Sequence, residues 1–260
     1  IMTNKVLDIT VILPVHELNE QTEKMFQNAV KSVEEQIERP NLLVVASKST
    51  YTKVNELVKN VTNCKVVKNE GETDFASQID FGVKNITTKW FSILEFDDEY
   101  SRIWFKNVVK YQEAYPEVNI FLPIVIDADE NNSFIGFTNE AVWANSFSDE
   151  LGVLDNGALL TYQNFNIDGM VITKEAYETY GGFKKNIKLT FIYEFLLRMT
   201  FKDVKTMVIP KFGYKHINQR EGSLFSTYKN EMNAVEANWW LAQAKKEYYF
   251  EKDRAITYHE

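Results

Sequence analysis

The chain has a single cysteine, Cys64, and that scarcity removes two chemistries at once. One thiol closes no intramolecular disulfide and builds no thiolate zinc site, so any metal must be held by oxygen and imidazole. The same scarcity fits a reducing, cytoplasmic compartment. Long apolar runs are missing too. Ile120 to Ile126, with Pro123 inside it, falls far short of the ~20 residues that cross a bilayer, so no membrane span is expected. Residues 1–5 lead directly into a strand-like segment, without an extended signal-type apolar region. Positive charge is in deficit: 29 Lys and Arg stand against 37 Asp and Glu. The resulting net charge of -8 repels phosphate backbones and argues against nucleic acid as a partner.

What is present is core material. With 45% hydrophobic residues, 260 positions fill one α/β domain or a domain with a subdomain. The first half alternates β-branched runs with helical periodicity, which predicts strand-helix-strand units around a mostly parallel sheet. Strands are expected at Leu7 to Pro14, Leu42 to Ala46, Lys65 to Lys68, Trp90 to Phe96 and Ile120 to Ile126. Between the first two, Met25, Phe26, Ala29, Val30, Val33 and Ile37 share a helical face, with Asn19 as N-cap and Pro40 as the stop. Val54, Leu57, Val58 and Val61 predict a second helix, and Phe75, Ile79, Phe81 and Val83 a third.

From Asp127 to Asn132 a polar turn separates two apolar runs, and the stretch to Gly157 carries few periodic signals. Regular structure is expected again at Met170 to Thr173, Lys174 to Tyr180 closed by Gly181-Gly182, Phe191 to Thr200, Thr206 to Pro210, and one long helix from Phe225 to about Phe250. The expected divisions are 1–126, 127–224 and a helical extension over 225–260.

Ligands of open α/β sheets bind beyond the carboxyl ends of the strands, which directs attention to two places. Val11 to Pro14 runs into Val15-His16-Glu17. Phe91 to Leu94 runs into Glu95-Phe96-Asp97-Asp98-Glu99, four carboxylates within five residues. Like charges this close raise one another's pKa unless a cation sits among them. A hard divalent ion resolves the repulsion and bridges a diphosphate. By itself the cluster also reads as an acidic loop or the first turn of a helix.

The surrounding register resembles that of the family-2 glycosyltransferases, in which an Asn-x-Gly helix leads through a hydrophobic strand into Asp-x-Asp-Asp. Asp80-Phe81-Gly82-Val83 stands at the helix position and Glu95-Phe96-Asp97-Asp98 at the acidic one. Val11 to Glu17 is similar to the family's first strand and base loop, and Ser32-Val33-Glu34-Glu35-Gln36 to its Ser-Val-x-x-Gln helix end. Gly181-Gly182-Phe183 is similar to its Gly-Gly-Phe turn. Tyr214-Lys215-His216, followed by Ser223, is similar to its Tyr-Arg-x-His segment.

There are departures. Ser47 stands where the family carries an Asp at the end of the second strand, Ile79 replaces its helix Arg, and Asp80 its Asn. The family's acidic pair, whose second member is the general base, falls at Phe191-Ile192, leaving Glu194 two residues on.

The resemblance implies a GT-A fold, a Rossmann-like α/β sandwich with an acceptor-side half over 127–224. It implies a nucleoside-diphosphate sugar as donor and Mn or Mg as cofactor. Asp97 and His216 would hold the ion, and Glu95 or Asp98 would stand near ribose and diphosphate. Pro14, His16, Glu17 and Ser47 would line the base pocket, with Gln78 and Asp80 beside it. For an inverting transfer the base candidates are Glu194 and Asp168, each with a structural reading: Glu194 pairs with Arg198 at i,i+4, and Asp168-Gly169 is a common turn pair. The acceptor, whether glycan, protein or small molecule, is left open. The alternative is a non-catalytic relative that binds nucleotide, with Trp143, Phe147, Trp239 and Trp240 offering an interaction surface. The Asn-, Lys- and Glu-rich composition points to a bacterial or viral source.

Overall fold

The computed structural model describes residues 5–144, 147–187, 190–217 and 233–254. Four parallel strands form one side of the sheet: β1 (Ile9–Val15), β2 (Asn41–Ser47), β3 (Cys64–Asn69) and β4 (Trp90–Ile93). Their side chains alternate between two cores, as the two-residue period of a strand requires. Val11, Leu13 and Val15 pack with Phe26, Ala29 and Val33 of helix α1 (Glu20–Glu34), while Ile12 packs with Ile79 and Val83 of α3 (Phe75–Lys84). Gly82 makes the second contact possible, because a Cβ there would lie 2.6 Å from Ile12 Cγ2. Asn19 caps α1 as expected, accepting from the amides of Gln21 and Thr22, and Thr22 returns a bond to the Asn19 amide. Helix α2 (Tyr51–Val58) follows β2.

The sheet continues through the second half of the chain. Its order is β3-β2-β1-β4-β8-β6-β9-β5, with β7 on the side of β6. Here β5 is Glu99–Tyr100, β6 Ile120–Ala128, β7 Phe134–Thr138, β8 Val171–Thr173 and β9 Thr206–Ile217. The expected boundary at 126/127 therefore falls inside β6, and both halves share one sheet. Strand β4 stops at Ile93 rather than Phe96, which leaves the acidic residues in a loop. Strand β9 runs on through Pro210 to Ile217, because register shifts around Ile124 let it stay paired with β6.

Helix α4 (Trp104–Ala114) was not expected: Ile103 at its N-cap gives no polar start signal, yet Trp104, Phe105 and Val108 are buried. Helices α5 (Asn156–Thr161), α6 (Lys174–Tyr180) and α7 (Phe191–Phe201) follow. The expected C-terminal helix is described over Ala234–Ala244, capped by Asn233. Its expected start at 225–232 lies outside the described residues, as do Ser223 and His259. Trp240 is buried, and Trp143 and Phe147 pack against the core. Among the described residues no helix is long and apolar enough to cross a membrane.

Candidate functional site

The site forms where β4 and β9 end together. Beyond Ile93, Leu94 N–H donates to Ile12 carbonyl and Asp98 N–H donates to Glu95 carbonyl, so the acidic segment turns just past the carboxyl end of β4. Tyr214 of β9 holds that turn: its hydroxyl accepts from Glu95 N–H (3.1 Å) and donates to Asp98 Oδ2 (2.8 Å). Asp98 is fully buried and also accepts from Ile217 N–H at 2.9 Å. One register position away, His216 Nδ1 lies 3.0 Å from Asp98 Oδ2, 3.0 Å from Asp168 Oδ2 and 3.7 Å from Glu95 Oε2. Asp168 arrives from the turn before β8. Among the described residues, Glu95, Asp98, Asp168 and His216 each offer a ligand atom within 4.8 Å of one another.

Three carboxylates around one imidazole are short of positive charge. Glu95 is only half-buried; that partial burial, then the neighbouring Asp168 carboxylate, pushes it up to about 8, although His216 pulls the other way. Burial likewise pushes Asp98 up to about 8 and Asp168 to about 6, each opposed by His216. Burial would lower His216, but Asp168, Asp98 and Glu95 hold it up at about 12. In this state the imidazolium is the cation of the site.

The other expected residues divide. Asp97 is half-buried beside the group, near enough to raise Glu95 and Asp98, but the carboxylates that meet His216 are Asp98 and Asp168. Pro14 is buried within β1, and His16 and Glu17 are exposed just past it. Ser47 is buried at the end of β2 and donates to His16 carbonyl at 3.0 Å, which joins two expected base-pocket positions. The His16 ring meets Phe96 edge-on at 6.5 Å. Gln78 donates to Thr73 carbonyl, and Asp80 accepts from Tyr177 hydroxyl, so both are tied to neighbouring backbone and helix.

Glu194, the other base candidate, stands outside this group. It is fully buried, with Arg198 Nε at 2.9 Å and Nη2 at 3.1 Å, and Lys184 Nζ at 3.3 Å. Arg198 also donates to the carbonyls of Tyr180, Gly181 and Gly182. Every contact described for the Glu194 carboxylate is to a cationic side chain of the fold. Phe191 and Ile192 pack on the core. Of the two base candidates, Asp168 is the one in the group. Tyr214, expected only as part of the Tyr214-Lys215-His216 segment, and Asn166 and Asn139, for which no role was expected, shape the site without being acidic.

A family model described as "Glycosyl transferase family 2" matches residues 10–167, a span that includes Glu95 and Asp98 and ends just before Asp168. Among solved structures, Staphylococcus aureus TarS 1-349 in complex with UDP-GlcNAc superimposes with a TM-score of 0.64 at 14% identity, over 85% of this chain and 61% of that one. Mannosyltransferase PcManGT from Pyrobaculum calidifontis, in complex with GDP-Man and Mn2+, gives 0.62 at 14% identity, over 92% and 73%. The chain thus spans about three fifths of the length of that TarS chain. These likenesses show the GT-A fold. No curated protein was found to match the chain significantly.

Proposed function

Because the chain belongs to glycosyl transferase family 2, we propose that it moves a sugar from a nucleoside-diphosphate sugar to an acceptor hydroxyl, with inversion and with Mn or Mg in the site. The observation that carries this reading is the convergence of Glu95, Asp98, Asp168 and His216. The donor set fits a divalent ion: carboxylate oxygens and one imidazole, crowded enough that protons and an imidazolium now supply the missing charge. Glu95, Asp98 and His216 would hold the ion, with Asp97 beside them, and when bound it would offset charge on the departing diphosphate. His16 and Glu17, with Pro14 and Ser47 behind them, are proposed to line the base, and Gln78 and Asp80 to support the pocket from α3. Asp168 is proposed to take the acceptor proton as the acceptor oxygen bonds the anomeric carbon and the bond to the diphosphate oxygen breaks. A base held near neutrality suits that task.

Three observations favour a second reading, a nucleotide-binding protein without transfer. Glu194 is enclosed, Phe191 and Ile192 carry no carboxylate, and Asp168 already contacts His216.

A thermal-shift screen of UDP- and GDP-sugars with and without Mn2+, followed by mass spectrometry of the products, tests both. Mn2+-dependent stabilisation by a donor is expected, with nucleoside diphosphate released. Asp168→Asn is expected to keep donor binding and to cut transfer about 100- to 10,000-fold. Failure of every donor to stabilise the protein would overturn the nucleotide-sugar reading. Stabilisation without transfer or donor hydrolysis would favour the binding protein.

A further inference from the structure

We infer that Asn166, locked in place by Asn139, is a positioning residue that fixes the Asp168 carboxylate against His216; the inference deepens the site reading above and rests on it. Asn139 is buried in the left-handed region at φ 80, a conformation asparagine tolerates better than most residues. Its side chain is fully engaged. Oδ1 accepts from Asn166 N–H at 2.7 Å, and Nδ2 donates to Asn166 carbonyl and Pro123 carbonyl, both at 2.8 Å. The Asn166 backbone is thereby held at both of its polar atoms.

From that fixed point Asn166 reaches forward to Asp168 with two bonds. Its Oδ1 accepts from Asp168 N–H at 3.0 Å, and its Nδ2 donates to Asp168 Oδ2 at 2.9 Å. The amide orientation follows from chemistry: a backbone N–H only donates, so the atom facing it is the oxygen, and the NH2 group faces the carboxylate. Asp168 Oδ2 is the same oxygen that stands 3.0 Å from His216 Nδ1.

The far side of the turn is fixed as well. Gly169 has φ 76, a Cβ there would lie 3.0 Å from both Pro123 and Tyr214, and its carbonyl accepts from Trp104 Nε1 at 3.1 Å. A carboxylate with both flanks immobilised and one oxygen aimed by an amide is preorganised, and misplacement by ~1 Å at a reacting group costs on the order of 100-fold in rate.

A purely structural Asn166 would need only its turn-forming oxygen, which aspartate also supplies. Asn166→Asp keeps that acceptor but turns an oxygen toward Asp168 Oδ2, so the two roles predict opposite results. The direct readout is NMR of the 260-residue chain with 15N-labelled histidine, since it has only three histidines. In metal-free protein, Asn166→Asp is expected to move the His216 Nδ1 resonance at least as far as Asn166→Ala. Asp168→Asn should move it too, and the double variant Asn166→Ala/Asp168→Asn should move it no further than Asp168→Asn alone. Asn166→Ala carries the same readout should the aspartate variant fail to fold.

A wild-type His216 signal in Asn166→Asp, or additive shifts in the double variant, would overturn the inference. So would an unmoved signal in Asp168→Asn, which would deny the contact through which Asn166 acts. In a transfer assay Asn166→Asp should lose about 100-fold at saturating donor with donor KM unchanged. If the wild type transfers no sugar, the enzyme reading fails while the NMR comparison still decides the role of Asn166.

Discussion

Glu194 and Asp98 are both fully buried carboxylates, and their surroundings treat them in opposite ways. Glu194 sits between Arg198 and Lys184, one carboxylate against two cationic groups, and Arg198 spends its remaining donors on the carbonyls of the Gly181-Gly182 turn. Asp98 shares its space with Glu95 and Asp168, three carboxylates against one imidazole. The first arrangement is complete and ties α7 to the turn after α6. The second lacks positive charge and lies where two strands end. Charge balance, rather than burial or acidity, separates the carboxylate that holds the fold from those suited to a ligand.

Removing the charge from each region breaks this comparison most sharply. Glu194→Ala strands Arg198 and Lys184 without their counter-charge and is expected to destabilise the protein by about 3–5 kcal/mol in urea melts. Glu95→Gln replaces a half-buried carboxyl that already holds its proton near neutrality and should leave the metal-free protein as stable or more so. Equal losses in the two variants would erase the distinction. Ligand response comes next. At concentrations about a hundred times Kd, Mn2+ with nucleoside diphosphate should stabilise the wild type by about 2.7 kcal/mol. Asp97→Ala should keep most of that gain, because Glu95, Asp98 and His216 are the proposed ion ligands, and loss of the gain would add Asp97 to them.

The pH dependence sharpens the contrast further. Glu95 and Asp98 are raised from 4.5 and 3.8 to about 8, so the folded protein keeps protons that the unfolded chain has released. Their contribution is fully present below the ordinary carboxylate values and is lost as pH rises through about 8. His216, raised from 6.5 to about 12, acts in the same direction over a higher range. Metal-free stability should therefore fall between about pH 5 and pH 9 in urea melts, and Glu95→Gln should flatten the slope. The smallest effect is expected at exposed His16: His16→Ala should change stability by less than about 0.5 kcal/mol while weakening nucleotide binding.

Much of the fold was legible because its parts are local. Asn19 with the apolar face of α1, the β-branched run of β1 and the Gly181-Gly182 stop after α6 each announce themselves within a few residues. The site was legible only in part. Glu95 and Asp98 follow a strand, as expected of a ligand site, but which neighbour meets His216 depends on how the loop turns on Tyr214, a contact 116 residues away in sequence from Asp98. Helix α4 lacks a polar cap, and β9 continues through a proline because a register shift accommodates it; neither feature follows from propensity. Asn139 and Asn166 read as ordinary loop asparagines until the fold brings them together 27 residues apart.

If Glu95, Asp98, Asp168 and His216 hold protons in place of a divalent cation, as proposed, an arriving ion must displace them. Titration calorimetry with Mn2+ and a nucleoside diphosphate, repeated near pH 7 in buffers of different ionisation enthalpy, counts the protons exchanged on binding. Net proton release on Mn2+ binding is expected, diminished in Glu95→Gln, because ligands must give up their protons to the metal. Absence of Mn2+ binding, or binding with no proton release, would contradict the proposal.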